Sequence, residues 1–399
     1  RASAPARRGK PVPAPSPRVA PRPAPGGAVG DGELHARLFD EYVSASLSRY
    51  DRADFVPFEE HAGADDPVSD VRVIAYYLPQ FHPIPENDAW WGKGFTEWRN
   101  VARAFPQFPG HYQPRVPGEF GYYDLRVTDV MRRQVALARN YGIDAFCFHF
   151  YWFAGKTLLE LPVRNFLDNP DLDLGFSLCW ANENWSRRWD GSEEELLITQ
   201  KHSGEDGIAF IRYVAEYFRD PRYTRVNGKP MLTVYRPSDL PDPAATVARW
   251  RAEMERLGFD GIYLVATNAF GFDDYRLYGF DALSEFPPHH VRAPNIQDRL
   301  SLSKYRTGWR VRSYADVVES QMRTNKPLGA VVHPGTMPSW DNSARRPHNG
   351  EIIHGSTPEL FRRWLGNAFD WASENPVGER LIFINAWNEW AEGTYLEPD

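Results

Sequence analysis

Residues 71–83 read V-R-V-I-A-Y-Y-L-P-Q-F-H-P. The run Val71–Leu78 is short, apolar and rich in β-branched and aromatic residues, as a buried strand is. It then breaks into the turn Pro79-Gln80-Phe81-His82-Pro83. In an open, doubly wound sheet that cradles a nucleotide, the turn after the first strand is glycine-rich, so that backbone can approach a phosphate. This turn has no glycine and offers Gln80 and His82 instead. The expected fold is therefore α/β of the closed kind, a single (β/α)8 TIM-type barrel.

Outward from that stretch, similar runs recur at Ile143–Phe150, Leu174–Ala181, Met231–Tyr235, Ile262–Thr267, Ala282–Glu285, Gly329–His333 and Leu381–Ala386. Between them lie amphipathic stretches expected as helices at Val127–Tyr141, Asp206–Phe218, Pro243–Leu257, Tyr314–Arg323 and Pro358–Ser373. Alternating strands and helices are the pattern of repeated βα units and a parallel sheet. Gly142, Gly258 and Gly261 stand where helices return to strands, as C-cap glycines do. The catalytic domain is placed at 71–399. Upstream, residues 31–70 read as a short helix, Glu33–Arg49, followed by an acidic loop. Residues 1–30 (R-A-S-A-P-A-R-R-G-K-P-V-P…) are Pro/Ala/Arg-rich without hydrophobic period, and are expected to be a disordered linker.

Composition excludes several classes of function. The net charge is −7, and residues 1–30 hold six basic residues and no acid, so the body carries more than the whole acidic excess. Nucleic acid is not an expected partner, because phosphate binding relies on clustered Lys and Arg. No apolar run approaches the ~20 residues of a membrane span. Two cysteines, Cys147 and Cys179, make no disulfide framework and leave the compartment open, with the cytoplasm slightly favoured. The chain opens on Arg1 and stops soon after an apolar strand. It is read as a segment of a longer or processed protein, truncated after strand eight, with further domains elsewhere. The aromatic content of 14%, with 14 Trp, exceeds what a core alone asks for. Many of these rings sit beside polar residues at strand ends, where flat apolar faces with polar edges suit sugar rings.

The polar residues fall in one place along each repeat. Strand one runs through Tyr77 into Gln80 and His82, with Trp91, Glu97 and Trp98 following. Strand two gives His149, Tyr151 and Trp152, and strand three Trp180, Asn182, Glu183 and Trp185. Arg236 follows strand four, Asn268 strand five, Glu285 strand six and His333 strand seven. Strand eight carries Asn385, Trp387 and Glu389. Barrel active sites are assembled from these C-terminal strand ends. Any one residue could be a satisfied core polar group or a cap; eight strands behaving alike point to a binding rim. Asn385, Trp387 and Glu389 share one face if the strand continues with period two. Glu392 then reaches the same side only if the chain turns at Trp390-Ala391. Two facing carboxyls are the equipment of glycoside cleavage, one protonating the leaving oxygen and one acting as base or nucleophile. A loop salt bridge or a helix N-terminal acid would use the same residues differently.

The motifs Y-Y-L-P-Q-F-H-P-I-P-E-N-D-A-W-W-G-K-G-F-T-E-W-R-N-V (76–101), F-H-F-Y-W-F (148–153), C-W-A-N-E-N-W (179–185) and N-A-W-N-E-W-A-E-G-T-Y-L-E-P (385–398) resemble those of WbsX-like proteins, often labelled glycosyltransferases of polysaccharide biosynthesis. The resemblance spans about 71–399. Through the terminal E-x-x-E and the fold, the chain is also similar to glycoside hydrolase family 99, the endo-α-mannosidases and mannanases. That likeness implies catalytic roles for Glu389, which would take the proton of the sugar 2-OH, and for Glu392, general acid and then base, expected with a raised pKa. It implies retention through a 1,2-anhydro sugar, hence α-manno or α-rhamno configured substrates. No cofactor and no metal are expected. His82, His149, His289, His290 and His333 show no ligand spacing on one helix. Asp171-x-Asp173 precedes a strand rather than following one, and Gly92-x-Gly94 is too slight for a phosphate loop. The rim as read is acidic, with Glu97, Glu183, Glu285, Glu389 and Glu392 against Arg236, which would repel a pyrophosphate. The alternatives are a sugar-nucleotide-dependent glycosyltransferase of lipopolysaccharide or other cell-surface polysaccharide, and a non-catalytic glycan-binding barrel.

Overall fold

The computed structural model describes residues 29–48, 69–108, 110–187, 192–269, 274–300, 309–324 and 329–399. The expected linker up to residue 28 and most of the acidic loop lie outside the described residues. Helix α1 runs Val29–Ser48, beginning four residues before the expected start. Short helices α2 (Pro85–Trp91) and α3 (Trp98–Ala102) follow the first strand. The longer ones are α4 (Thr128–Asn140), α5 (Leu161–Asp168), α6 (Gly204–Phe218), α7 (Pro243–Arg256), α8 (Tyr314–Met322) and α9 (Pro358–Ser373). Their starts are chemically marked. Ser203, Asp242 and Thr357 each accept a backbone N–H of the first turn, and Pro243 and Pro358 stand just inside.

The barrel strands are β1 (Arg72–Tyr77), β2 (Ala145–Phe153), β3 (Gly175–Trp180), β4 (Lys229–Val234), β5 (Tyr263–Thr267), β6 (Ala282–Ser284), β7 (Val332–His333), β8 (Gly335–Thr336) and β9 (Leu381–Ile384). From β1 to β7 each strand pairs in parallel with the next in sequence, which rules out the open doubly wound sheet. The seventh strand differs from the expected Gly329–His333. It is split at Pro334, so that β7 pairs with β6 while β8 pairs with β9. Proline has no N–H to give a ladder, and the break falls there. Its carbonyl still accepts the Phe383 N–H at 3.0 Å, and β9 pairs with β1, so the barrel nearly closes. Gly335 is the residue that permits this: a Cβ there would lie 2.4 Å from the Glu285 carbonyl oxygen. Strand eight also ends earlier than expected, at Ile384.

Period two sorts the strand residues into two layers. Ile74, Tyr76, Cys147, Cys179, Met231, Val265 and Phe383 fill the interior, and Tyr77, Phe148, Leu178, Leu232 and Leu264 face the helices. Both layers are buried, as parallel barrels require. Both cysteines are free thiols of the interior. Asp171 and Asp173 pair with Arg132 and Arg139 of α4, so this acidic pair ties a loop to a helix. No helix among the described residues is long and apolar enough to cross a membrane.

Candidate active site

At the C-terminal ends of the strands lies a cavity of about 450 Å³. β1 delivers Gln80, β2 His149 and Tyr151, and the segment after β3 Glu183 and Trp185; Tyr235 follows β4 and Asn385 follows β9. Trp91 of α2 closes one side. The opposite wall comes from an excursion between β6 and β9, a small sheet of Arg310–Ser313, Glu351–His354 and Trp340–Asp341. It contributes Arg310, Arg312, Trp340, Arg345, Arg346 and Glu351.

Glu389 and Glu392 both open into this cavity. Asn388 anchors the segment that carries them: its side chain accepts the Leu78 N–H at 2.7 Å and donates to the Leu78 carbonyl at 3.0 Å. Asn388–Glu389 then pairs with Thr394–Tyr395 across a tight turn, Trp390–Glu392, that ends in Gly393 at φ +61°. A Cβ on Gly393 would sit 2.9 Å from Asp341 Cβ, so glycine lets the turn press against the excursion. Trp390 stacks on Tyr395 at 3.7 Å and donates to the buried Glu397 carboxyl at 2.6 Å. Asp341 itself accepts from Gln113 and pairs with His111 at 2.7 Å, fixing the other side of the contact.

The two glutamates meet on Arg345. Its Nη2 is 3.0 Å from Glu389, its Nη1 3.3 Å from Glu392, and its Nε 3.2 Å from Glu97. One guanidinium faces three carboxyls in a largely buried place, and it cannot neutralise all three. The imbalance falls on Glu389. Burial pushes its pKa well above the usual carboxylate range, and Glu392 and Glu97 add to the rise, while Arg345 opposes it. Beside them, burial and Arg345 hold His149 down to about 4, a neutral imidazole at pH 7. His289 is likewise down at about 4 and shares a 2.9 Å hydrogen bond with Tyr235.

Residues 73–399 match the family described as Glycosyltransferase WbsX. The chain belongs to the WbsX family. It is 50% identical over 329 residues to an uncharacterized protein WxcX of Xanthomonas campestris pv. campestris, found in two strains. That alignment takes in 82% of this chain and 47% of the relative, so the chain spans about half the length of the curated relatives it matches. Among solved structures, a glycoside hydrolase-like protein aligns with TM-score 0.53 and 16% identity over 86% of this chain and 90% of that one. The GH99 endo-alpha-mannosidase from Bacteroides thetaiotaomicron aligns with TM-score 0.51 and 16% identity over 83% and 88%. At these identities the likeness is one of fold.

In this WbsX-family barrel, the residues read from sequence divide by side. Gln80, Trp91, His149, Tyr151, Glu183, Trp185, Asn385, Glu389 and Glu392 reach the cavity. Tyr77, Trp152 and Trp180 do not, because each is one step out of phase with an interior residue. Tyr77 donates to Gln134, Trp152 to Asp206, and Trp180 stacks on Phe210 at 4.4 Å, all in the helix-facing layer. Trp387 is a correction of the same kind. β9 has ended before it, so alternation no longer aligns it with Asn385 and Glu389, and it packs on Phe146 at 5.1 Å. Trp98 is buried against Phe81 and donates to the Tyr123 carbonyl.

Others stand behind the cavity wall. Glu97 reaches the site only through Arg345. Asn182 clasps the Arg236 backbone, and Arg236 pairs with Glu183 at 3.3 Å, holding that cavity carboxylate in place. His82, with its pKa down at about 4 through burial, and Asn268 lie off the cavity. His333 sits deeper in the barrel beside Tyr263 and Phe383. Glu285 is buried, accepts the Gly335 N–H at 3.1 Å and lies 3.6 Å from His290. Sequence reading missed the excursion's arginines. The wall they form overturns the expectation of an acidic rim with Arg236 as its clearest cation. Their signal was faint, R-V-R at 310–312 and R-R at 345–346, outside every strand end. Among the described residues no cluster of three or more His, Cys, Asp or Glu is placed to hold a metal.

Proposed function

We propose that this barrel is a carbohydrate-active enzyme that cleaves α-manno or α-rhamno type glycosidic bonds of a polysaccharide, with retention and participation of the 2-OH. The observation that supports it is that Glu389 and Glu392 open into one strand-end cavity and meet on one guanidinium. Glu389 takes the 2-OH proton as O2 attacks C1. The bond from C1 to the glycosidic oxygen breaks, and that oxygen takes the proton of Glu392. Water then adds to C1 of the 1,2-anhydro sugar, giving its proton to Glu392, while O2 recovers the proton held by Glu389. A base for so weak an acid as a hydroxyl gains from high proton affinity, provided it is ionised at the working pH. Burial supplies that affinity to Glu389 and Arg345 limits it. Trp91, Tyr151 and Trp185 supply flat faces for sugar rings.

The test is incubation with α-manno or α-rhamno oligosaccharides in the presence of EDTA, following released reducing ends. Release that Glu389→Gln and Glu392→Gln each abolish supports the reading. A second reading, sugar transfer from a nucleotide donor, is favoured by the arginine wall, since a diphosphate leaving group needs cations. Product formed only with a nucleotide sugar, and undiminished in Glu389→Gln, would establish it instead.

A further inference from the structure

The excursion wall has a charge character of its own. Strand Arg310–Ser313 alternates, so Trp309 and Val311 enter a core with Phe108 and Ile352 while Arg310 and Arg312 turn to the cavity. Arg346 follows directly on Arg345, at the end of the 3-10 turn Asn342–Ala344, and lines the same space. Besides Arg345, which faces the glutamates, Arg310, Arg312 and Arg346 therefore share this wall with Glu351, which pairs with Arg312 at 2.7 Å and stands 3.8 Å from Arg310. Arg312 also donates to the Val291 carbonyl at 3.2 Å and so has a part in holding the wall. Arg310 has no such burial, with 62% of its side chain exposed. A core that needed only a polar cover over Trp309 and Val311 would not call for cations on both cavity-facing positions. Glu389 and Glu392 are held against this same wall by Arg345, so a sugar in the cavity meets the carboxyls and the remaining arginines together. Guanidinium forks suit oxyanions, carboxylate and phosphate alike.

We propose that Arg310, Arg312 and Arg346 form a subsite for an anionic group carried by the sugar ligand, a carboxylate or a phosphate. The proposal rests on the reading of the cavity as a sugar site. The anion has two possible sources, an acidic substituent on the polysaccharide or the diphosphate of a nucleotide donor, and both present the same chemistry to the wall.

The experiment measures binding to the full chain, with Glu392→Gln used to prevent turnover. The probes are a neutral α-manno-oligosaccharide, the same oligosaccharide bearing a glucuronate branch, and a nucleotide sugar, GDP-mannose. The acidic oligosaccharide is expected to bind roughly tenfold more tightly than the neutral one. That ratio should collapse in Arg310→Gln and in Arg346→Gln, and should shrink in the unsubstituted wall as salt rises to 0.5 M. Two separate substitutions, each checked by its melting temperature, and the salt series in the intact wall keep the result independent of any one variant's folding. If GDP-mannose rather than the acidic oligosaccharide shows the arginine-dependent advantage, the subsite stands and its anion belongs to the donor. Equal affinity for neutral and anionic probes, or a preference that survives both substitutions, overturns the subsite. Turnover in the reducing-end assay is read separately. Loss of the preference with turnover intact sinks only the subsite; arginine-dependent binding without turnover sinks only the cleavage reading.

Discussion

Arg345 Nη2 lies 3.0 Å from Glu389 Oε1, the shortest of three ion pairs by which one guanidinium holds Glu389, Glu392 and Glu97 together. Arg345 comes from the excursion wall and Glu389 from the end of the eighth-strand segment. The pair joins parts of the chain 44 residues apart, and its substitution is the most direct probe of the site. Arg345→Gln removes the charge that holds Glu389's pKa down, so that pKa should rise further. If Glu389 acts as base in its ionised form, the acid limb of the kcat/KM profile moves to higher pH. Removing the counter-charge also leaves buried Glu97 unbalanced, with an expected cost of roughly 3–5 kcal/mol at neutral pH that lessens as the carboxyls protonate. A pH–rate profile and a pH series of melting temperatures check both. An unmoved acid limb would show that Arg345 only braces the wall.

Glu389→Gln and Glu392→Gln are each expected to lower kcat on an unactivated α-glycoside by roughly 10²–10⁴-fold, the range for general acid–base groups. The two should separate on an aryl glycoside with a good leaving group. Such a substrate needs little protonation, so Glu392→Gln should recover in the cleavage step while Glu389→Gln should not. Equal losses on both substrates would contradict the division of roles.

Gly393→Ala tests the turn. The backbone there is in the left-handed region, and the new methyl would meet Asp341. A loss of roughly 2 kcal/mol in stability is expected, from the backbone penalty together with overpacking. Because Glu392 is the adjacent residue, activity should fall further than the melting temperature accounts for. Calorimetry and turnover on one preparation would show whether it does.

Glu285 offers a test through stability alone. Burial pushes its pKa up to about 7, and His290 beside it is held down to about 4, so both are neutral between about pH 4 and pH 7. A carboxyl raised in the folded state is stabilised in its protonated form. Its contribution is present below the unfolded value near 4.5 and is lost as pH rises through about 7. Glu285→Gln keeps an acceptor for the Gly335 N–H and offers a donor to the His290 ring. The variant should melt a few degrees higher than the parent at pH 8, by linkage on the order of 2–3 kcal/mol, and little differently at pH 5. A pH-independent difference would refute the assignment of the shift to Glu285.

The sequence by itself determined the barrel. Eight apolar runs alternating with amphipathic stretches, a first turn of Pro79-Gln80-Phe81-His82-Pro83 and capped starts such as Asp242-Pro243 are local features, and strand period and helix capping act locally. It also determined that Gln80, His149, Tyr151, Glu183, Asn385 and Glu389 would gather, because strand ends in a parallel barrel share one rim. Phase was harder to read. Tyr77, Trp152 and Trp180 sit one residue from interior neighbours, and whether the last residues of a strand keep alternating depends on where its ladder ends. Trp387 shows the cost of assuming that it continues. What only the tertiary structure decided is the electrostatic partner of the glutamates. Arg345 lies on no strand end, and nothing within a few residues of it announces a contact with Glu389, Glu392 and Glu97. Gly393 against Asp341 brings that wall to the turn, and burial there pushes the Glu389 pKa up. Pairing across such distances is a property of the folded surface, and the pattern of any single segment does not contain it.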